Sequence, residues 1–140
     1  MSATNLAKKL GIKPGDRVWL IEAPSGTAEY LRRGCPEGVS FVERLPDDKV
    51  EIVLYWPRGL EGLTDRFRDL QHRIVPTGAV WAVIPKKKYA RKWGIDFSWE
   101  ELQAAGLQTD LVDNKVASID EETYGTRFVI RVEYRDKYRD

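Results

Sequence analysis

At 140 residues, with 42% hydrophobic and 32% charged side chains, the chain has room for one core and too little length for a second domain of its own. Its 23 Lys and Arg against 22 Asp and Glu leave a net charge of +1, which argues against a dedicated nucleic-acid coat while allowing a local basic patch. No apolar run approaches the roughly 20 residues that span a bilayer, and Met1-Ser2-Ala3-Thr4-Asn5 lacks a charged-then-apolar secretory pattern, so no membrane partner and a cytoplasmic location are expected.

In chain order, Asn5 to Leu10 reads as a short helix closed by Gly11, with Leu6 and Leu10 on one face. Pro14-Gly15-Asp16 turns the chain into a first strand, Arg17 to Ala23. A short helix follows over Thr27 to Arg33, ended by Gly34 and Pro36, and Val39 to Glu43 is a second strand. Only Arg44 to Lys49 separate it from the next strand, at Val50, whereas a parallel crossover normally takes a dozen or more residues. Pro46-Asp47-Asp48 has the composition of a hairpin turn. Alternatively, the second strand stops near Phe41 and the chain runs back extended to start a parallel strand; residue patterns leave both open.

Val50 to Trp56 is a nearly continuous apolar run, the pattern of a strand covered on both faces. Leu63, Phe67, Leu70 and Ile74 repeat at helical spacing. Pro76-Thr77-Gly78 breaks that helix, and Ala79 to Ile84 forms another buried strand ending at Pro85. Ser98-Trp99-Glu100-Glu101 is a capping box opening a helix to Ala105, with Gly106 closing it. Strands over Thr109 to Ile119 and Thr126 to Tyr134 make a terminal hairpin, with Phe128, Ile130 and Val132 on one face and a fraying tail from Arg135. The expected architecture is a single α/β domain over 1–140. It is a reduced Rossmann-like three-layer sandwich with a mainly parallel sheet and a C-terminal antiparallel hairpin.

Parallel β-α-β units followed by an antiparallel hairpin resemble class I S-adenosylmethionine-dependent methyltransferases. Val75-Pro76-Thr77-Gly78 stands where such enzymes carry an L-x-P-x-G turn. Three segments resemble an uncharacterised prokaryotic family of short, methyltransferase-like proteins. They are Leu10 to Gly15 with Ala23 to Gly26, Trp81 to Lys87, and Leu111 to Val116 through Asp120 to Val129. The resemblance implies a fold, S-adenosylmethionine as a candidate cofactor, and no established activity. True methyltransferases place a glycine-rich loop after the first strand, where backbone must approach the cofactor; here Ala23-Pro24-Ser25-Gly26-Thr27 holds one glycine and a proline without an N–H.

Candidate ligand residues follow from these placements. Lys86 and Lys87, extended by Lys88, Arg91 and Lys92, lie where open α/β sheets bind ligands, and interleaved Tyr89 and Trp93 suit stacking. Pro24, Ser25, Gly26 and Thr27 form the first loop at that edge, their hydroxyls serving either an anion or the following helix. Trp56 and Arg58 end the third strand there, and Glu43, 17 residues beyond Gly26, has the spacing of a ribose-binding carboxylate. Asp113 and Asn114, with Lys115, form the one compact acid-amide-base cluster, suited either to proton transfer or to a strand bulge. Cys35 and His72, single of their kinds, cannot close a zinc site, and Cys35 has no evident activating neighbour. Together these residues favour an anionic, phosphate-bearing small ligand bound without methyl transfer. A methyltransferase with an altered cofactor loop and a nucleic-acid or protein interaction module are the alternatives. No catalytic base is evident.

Overall fold

The computed structural model describes residues 2–139. The strands are β1 (Arg17–Ile21), β2 (Ser40–Val42), β3 (Val50–Tyr55), β4 (Ile74–Pro85), β5 (Leu111–Ser118) and β6 (Thr123–Ile130), and the helices are α1 (Ala3–Leu10), α2 (Thr27–Arg32), α3 (Leu63–Leu70) and α4 (Trp99–Leu107). The described strands form one sheet in the order β2-β1-β3-β4-β6-β5. Its first four are mutually parallel, and β6 runs antiparallel between β4 and β5.

The apolar runs explain this layering. Along β3 and β4 successive side chains alternate between two separate buried clusters. Val53, Tyr55, Val80, Ala82 and Ile84 pack with α3 and α4 through Phe67, Leu70 and Leu102. Ile52, Leu54, Trp81 and Val83 pack with α1 and α2 through Leu6, Leu10 and Leu31. A sheet covered on both faces needs the continuous hydrophobic strands seen at Val50 and Ala79. The result is the three-layer, Rossmann-type arrangement expected, with its antiparallel hairpin at the end.

The direction of β3 is settled as parallel. Val42 and Val53 both flank Trp19, so Val50 lies about 10 Å back along the sheet and two strand spacings, about 10 Å, across. Seven extended residues bridge that gap easily at about 3.3 Å each, which is why Glu43 to Lys49 serves as the connection without a helix. The Pro46-Asp47-Asp48 hairpin does not form.

Four further expectations are corrected. Ile74 is the first residue of β4, paired with Val50, and not the last of a helix, because α3 stops at Leu70. Val75 to Gly78 is absorbed as a register shift within β4, made possible by glycine: a Cβ at Gly78 would lie 2.7 Å from the carbonyl oxygen of Glu51. The last strand ends at Ile130, so Val132 begins a 3-10 segment, Val132–Tyr138, and is exposed. That segment is docked rather than frayed. Tyr138 is buried, its hydroxyl donates to Asp110 Oδ2 at 2.5 Å, its ring lies 5.1 Å from that of His72, and its carbonyl accepts from Lys49 Nζ at 2.7 Å.

Asp110 also meets Lys137 at 2.9 Å, and the hydrogen bonds from Lys137 and Tyr138 hold its carboxyl below the usual range. A carboxylate whose folded pKa is depressed contributes stability that is present above its unfolded pKa, about 3.9, and lost as pH falls through the folded value. Tyr138→Phe is expected to cost about 1 kcal/mol in urea unfolding at pH 7. The cost should shrink below pH 4, as Asp110 protonates, with Asp110→Asn flattening the acid limb.

Candidate functional site

The parallel order reverses at β1: one connection leads outward to β2, the next back to β3 on the other side. In open α/β sheets the crevice outside the carboxyl ends at such a switch point receives the ligand. Here the loops leaving β1, β3 and β4 meet there, joined by the β5–β6 turn. The last element arrives because β6 is antiparallel to β4, setting Thr123 opposite Pro85.

These elements enclose a cleft of about 830 Å³ on the α1/α2 side, within the roughly 300–1,000 Å³ typical of small-molecule sites. Leu6, Leu10, Leu31, Leu54, Trp56 and Val83 supply an apolar floor and walls. Pro24, Ser25, Gly26, Thr27 and Tyr30 form one side, and Lys86, Trp93 and Asp120 to Thr123 the other. Six of the residues proposed from the sequence therefore converge on one cavity: Pro24, Ser25, Gly26, Thr27, Trp56 and Lys86.

The others stand elsewhere. Arg58 lines two smaller adjoining hollows, of about 280 and 150 Å³, and its guanidinium is 3.9 Å from Glu22 Oε1. Glu43 is exposed beyond β2 and lines none of the three. Lys87 is exposed in the 3-10 turn Lys87–Tyr89 and does not line the cleft. Asp113 lies on the edge strand β5, away from the cleft, where its Oδ2 accepts from Gln103 Nε2 at 3.0 Å, and Asn114 sits at a bulge. Cys35 packs with the α1/α2 cluster while His72 faces Tyr138 on the other side, and burial pushes the Cys35 thiol up.

The basic turn is partly tied down, while Lys87, Lys88 and Arg91 remain exposed. Lys86 Nζ donates to the Asp120 carbonyl at 2.9 Å, Lys92 pairs with Glu122 at 2.6 Å, and Trp93 Nε1 donates to the other Glu122 oxygen at 2.9 Å. The bonds from Lys92 and Trp93 hold the Glu122 carboxyl below its usual range. Asp120 Oδ1 in turn accepts from the Glu122 and Thr123 N–H groups and the Thr123 hydroxyl. On the opposite wall the Thr27 hydroxyl donates to the Pro24 carbonyl at 2.7 Å, stiffening the first loop.

Sequence reasoning missed the acidic rim. Asp120, Glu121 and Glu122 line the cleft with one ammonium, Lys86, against them. Their composition marks a hairpin end, but only the β4–β6 pairing carries that end to the sheet's carboxyl edge. Among the described residues no group of three metal-ligating side chains forms, and no helix is long and apolar enough to cross a membrane.

No protein-family model and no curated protein matches the chain. Solved structures do. The chain is similar to a SAM-dependent methyltransferase from Aquifex aeolicus, with TM-score 0.69 and 16% identity, covering 91% of this chain and 89% of that one. It is also similar to the N-methyltransferase NodS from Bradyrhizobium japonicum WM9 in complex with S-adenosyl-L-homocysteine (TM-score 0.63, 12% identity, 92% and 85% covered). A third likeness is to a putative type 11 methyltransferase from Sulfolobus solfataricus (TM-score 0.60, 11% identity, 91% and 90% covered). At such identities the likeness is one of fold, and the chain has the class I methyltransferase-like fold.

At the head of the loop after β1, Glu22 holds a left-handed backbone, φ 59°, the only described residue other than glycine to do so. That conformation costs a side-chain-bearing residue on the order of 1 kcal/mol and is commonest at functional sites. Glu22→Gly is expected to raise the thermal midpoint by a few degrees, against the usual direction for glycine substitutions; a lowered midpoint would show that the Glu22 side chain is needed for folding.

Proposed function

We propose that this chain binds a small molecule of the S-adenosylmethionine type, with a flat adenine ring that can stack on an apolar surface and a cationic end, in the carboxyl-edge cleft. The observation that carries the reading is the cleft's chemistry: an aromatic and aliphatic floor under a rim of Asp120, Glu121, Glu122 and Lys86, in which Glu122 is already paired with Lys92 and Trp93 and Glu121 adds a further acidic side chain. Apolar pockets with a few convergent polar groups are the usual form of small-ligand sites, and an acidic rim favours cationic over anionic ligands. The similarity to SAM-dependent methyltransferases, one of them holding S-adenosylhomocysteine, supports the choice of ligand.

The residues present fit such a molecule in size and charge. Trp56, Leu54 and Val83 offer the surface for its body, Ser25 a neutral hydroxyl, and Asp120 and Glu121 the countercharge, Glu122 being paired with Lys92. When bound, S-adenosylmethionine supplies an electrophilic methyl group on a sulfonium. Two contacts differ from the pattern the resemblance implies: Glu43 lies away from the cleft, and Pro24 has no N–H to offer. A second reading, an anionic ligand bound without methyl transfer, rests on Lys86, whose ammonium lines the cleft.

Thermal unfolding with S-adenosylmethionine, S-adenosylhomocysteine, ATP and inorganic phosphate separates the two. A ligand at 100 times its dissociation constant stabilises the native state by about 2.7 kcal/mol, a shift of several degrees for a domain of this size. Shifts are expected with the first two and not the last two, and Ser25→Trp, which fills the cleft from an exposed position, should abolish them. A response to ATP or phosphate alone, lost in Lys86→Ala, would transfer support to the anionic reading.

A further inference from the structure

On the α1 side of the sheet, beside the cleft but outside the residues that line it, basic side chains are grouped on the β5–β6 hairpin. Phe128 and Ile130 of β6 pack towards α3 and α4, so Arg127 and Val129 between them face the α1 side. There Arg127 stands directly opposite Lys115 of β5. The pairing depends on the bulge at Asn114, where the register slips by one residue between Asp113 and Lys115; in a regular strand Lys115 would share the face of Asp113. The bulge thus brings two cations together across a ladder, an arrangement that is destabilising by itself.

No carboxylate compensates them among the described residues. Arg127 donates to the neutral Asn114 Oδ1 at 3.3 Å. Lys115 Nζ donates to the Lys9 carbonyl at 3.0 Å and lies 5.9 Å from the Trp81 ring centre. Arg135, whose Nε donates to the Ile130 carbonyl at 3.2 Å, adds a third cation, and burial together with Arg135 lowers the pKa of the Arg127 guanidinium. Helix α1 beside them contains Lys8 and Lys9 and no acid. In a chain with 23 basic and 22 acidic residues, such one-signed grouping is a segregation of charge. The negative end of the α1 dipole accounts for Lys115 and Lys9, and it does not account for Arg127 and Arg135.

We propose that the α1-facing side of the β5–β6 hairpin is a phosphate-binding site, in which one phosphate group is taken between Lys115 and Arg127 across the bulge, with Arg135 contributing charge. A guanidinium fork beside a point-charge ammonium matches the geometry and double charge of phosphate, and the incoming anion removes the repulsion that the free protein bears. The phosphate belongs either to a free small molecule or to a nucleic-acid backbone.

Two titrations of the whole chain at low salt distinguish the sources: inorganic phosphate by calorimetry, and a labelled 12-nucleotide single-stranded RNA by anisotropy. At least one is expected to bind the wild type and to weaken tenfold or more in Arg127→Gln and in Lys115→Gln. In Arg127→Gln the thermal midpoint should stay level or rise, since a repulsive partner is removed; a merely structural arginine would lower it. RNA binding without phosphate binding would identify a nucleic-acid backbone, and the reverse a small phosphate. Failure of both ligands to bind the wild type, or unchanged binding in both variants, overturns the proposal. Neither Arg127 nor Lys115 lines the cleft, so the response to S-adenosylhomocysteine is expected to persist in both variants and each site can fail alone.

Discussion

Trp81 is the contact on which both halves of the molecule depend. It is fully buried at the centre of β4, and its indole N–H donates to the Leu10 carbonyl at 3.1 Å. A buried indole without an acceptor would cost a few kcal/mol, so α1 must end where its last carbonyls meet this ring. On its other side the ring presses so closely on Gly125 that a Cβ there would lie 2.9 Å from Cε3. One side chain therefore sets α1, the centre of the sheet and the C-terminal hairpin at fixed separations, and the cleft lies between those elements.

Most regular elements were legible because they rest on local chemistry. The Val50 strand, the Leu63 to Leu70 stripe and the Ser98 box, where Glu101 reaches back to the Ser98 N–H and the Ser98 hydroxyl accepts from Glu101, each declare themselves within a few residues. Errors fell where two distant segments decide the outcome. Ile74 fits the helical period, yet its partner is Val50. Tyr138 lies in a charged tail, and its place is given by Asp110, Lys49 and His72.

The candidate site divides in the same way. Residues of the loops after β1, β3 and β4 could be grouped because the parallel order makes their ends neighbours, and those residues do converge. Glu43 was placed by spacing alone, and β2 is so short that its end lies level with the middle of β1. The acidic side of the cleft came from the one antiparallel partner of β4, a relationship that no single segment encodes. A basic run at a sheet edge suggested anions; the pairing of Lys92 and Trp93 with Glu122 shows the run partly occupied in holding the turn together.

The link from Glu43 to Lys49 makes the sheet open to enlargement. It joins the end of β2 to the start of β3 on the other side of β1 as mostly exposed chain outside the strand ladders. Because loop-closure entropy grows by only about 0.6 kcal/mol for each doubling of length, a whole helix could be spliced between these residues with every existing strand pair kept. Seen as a problem of construction, this seven-residue link marks a ready splice point for an additional layer beside β2.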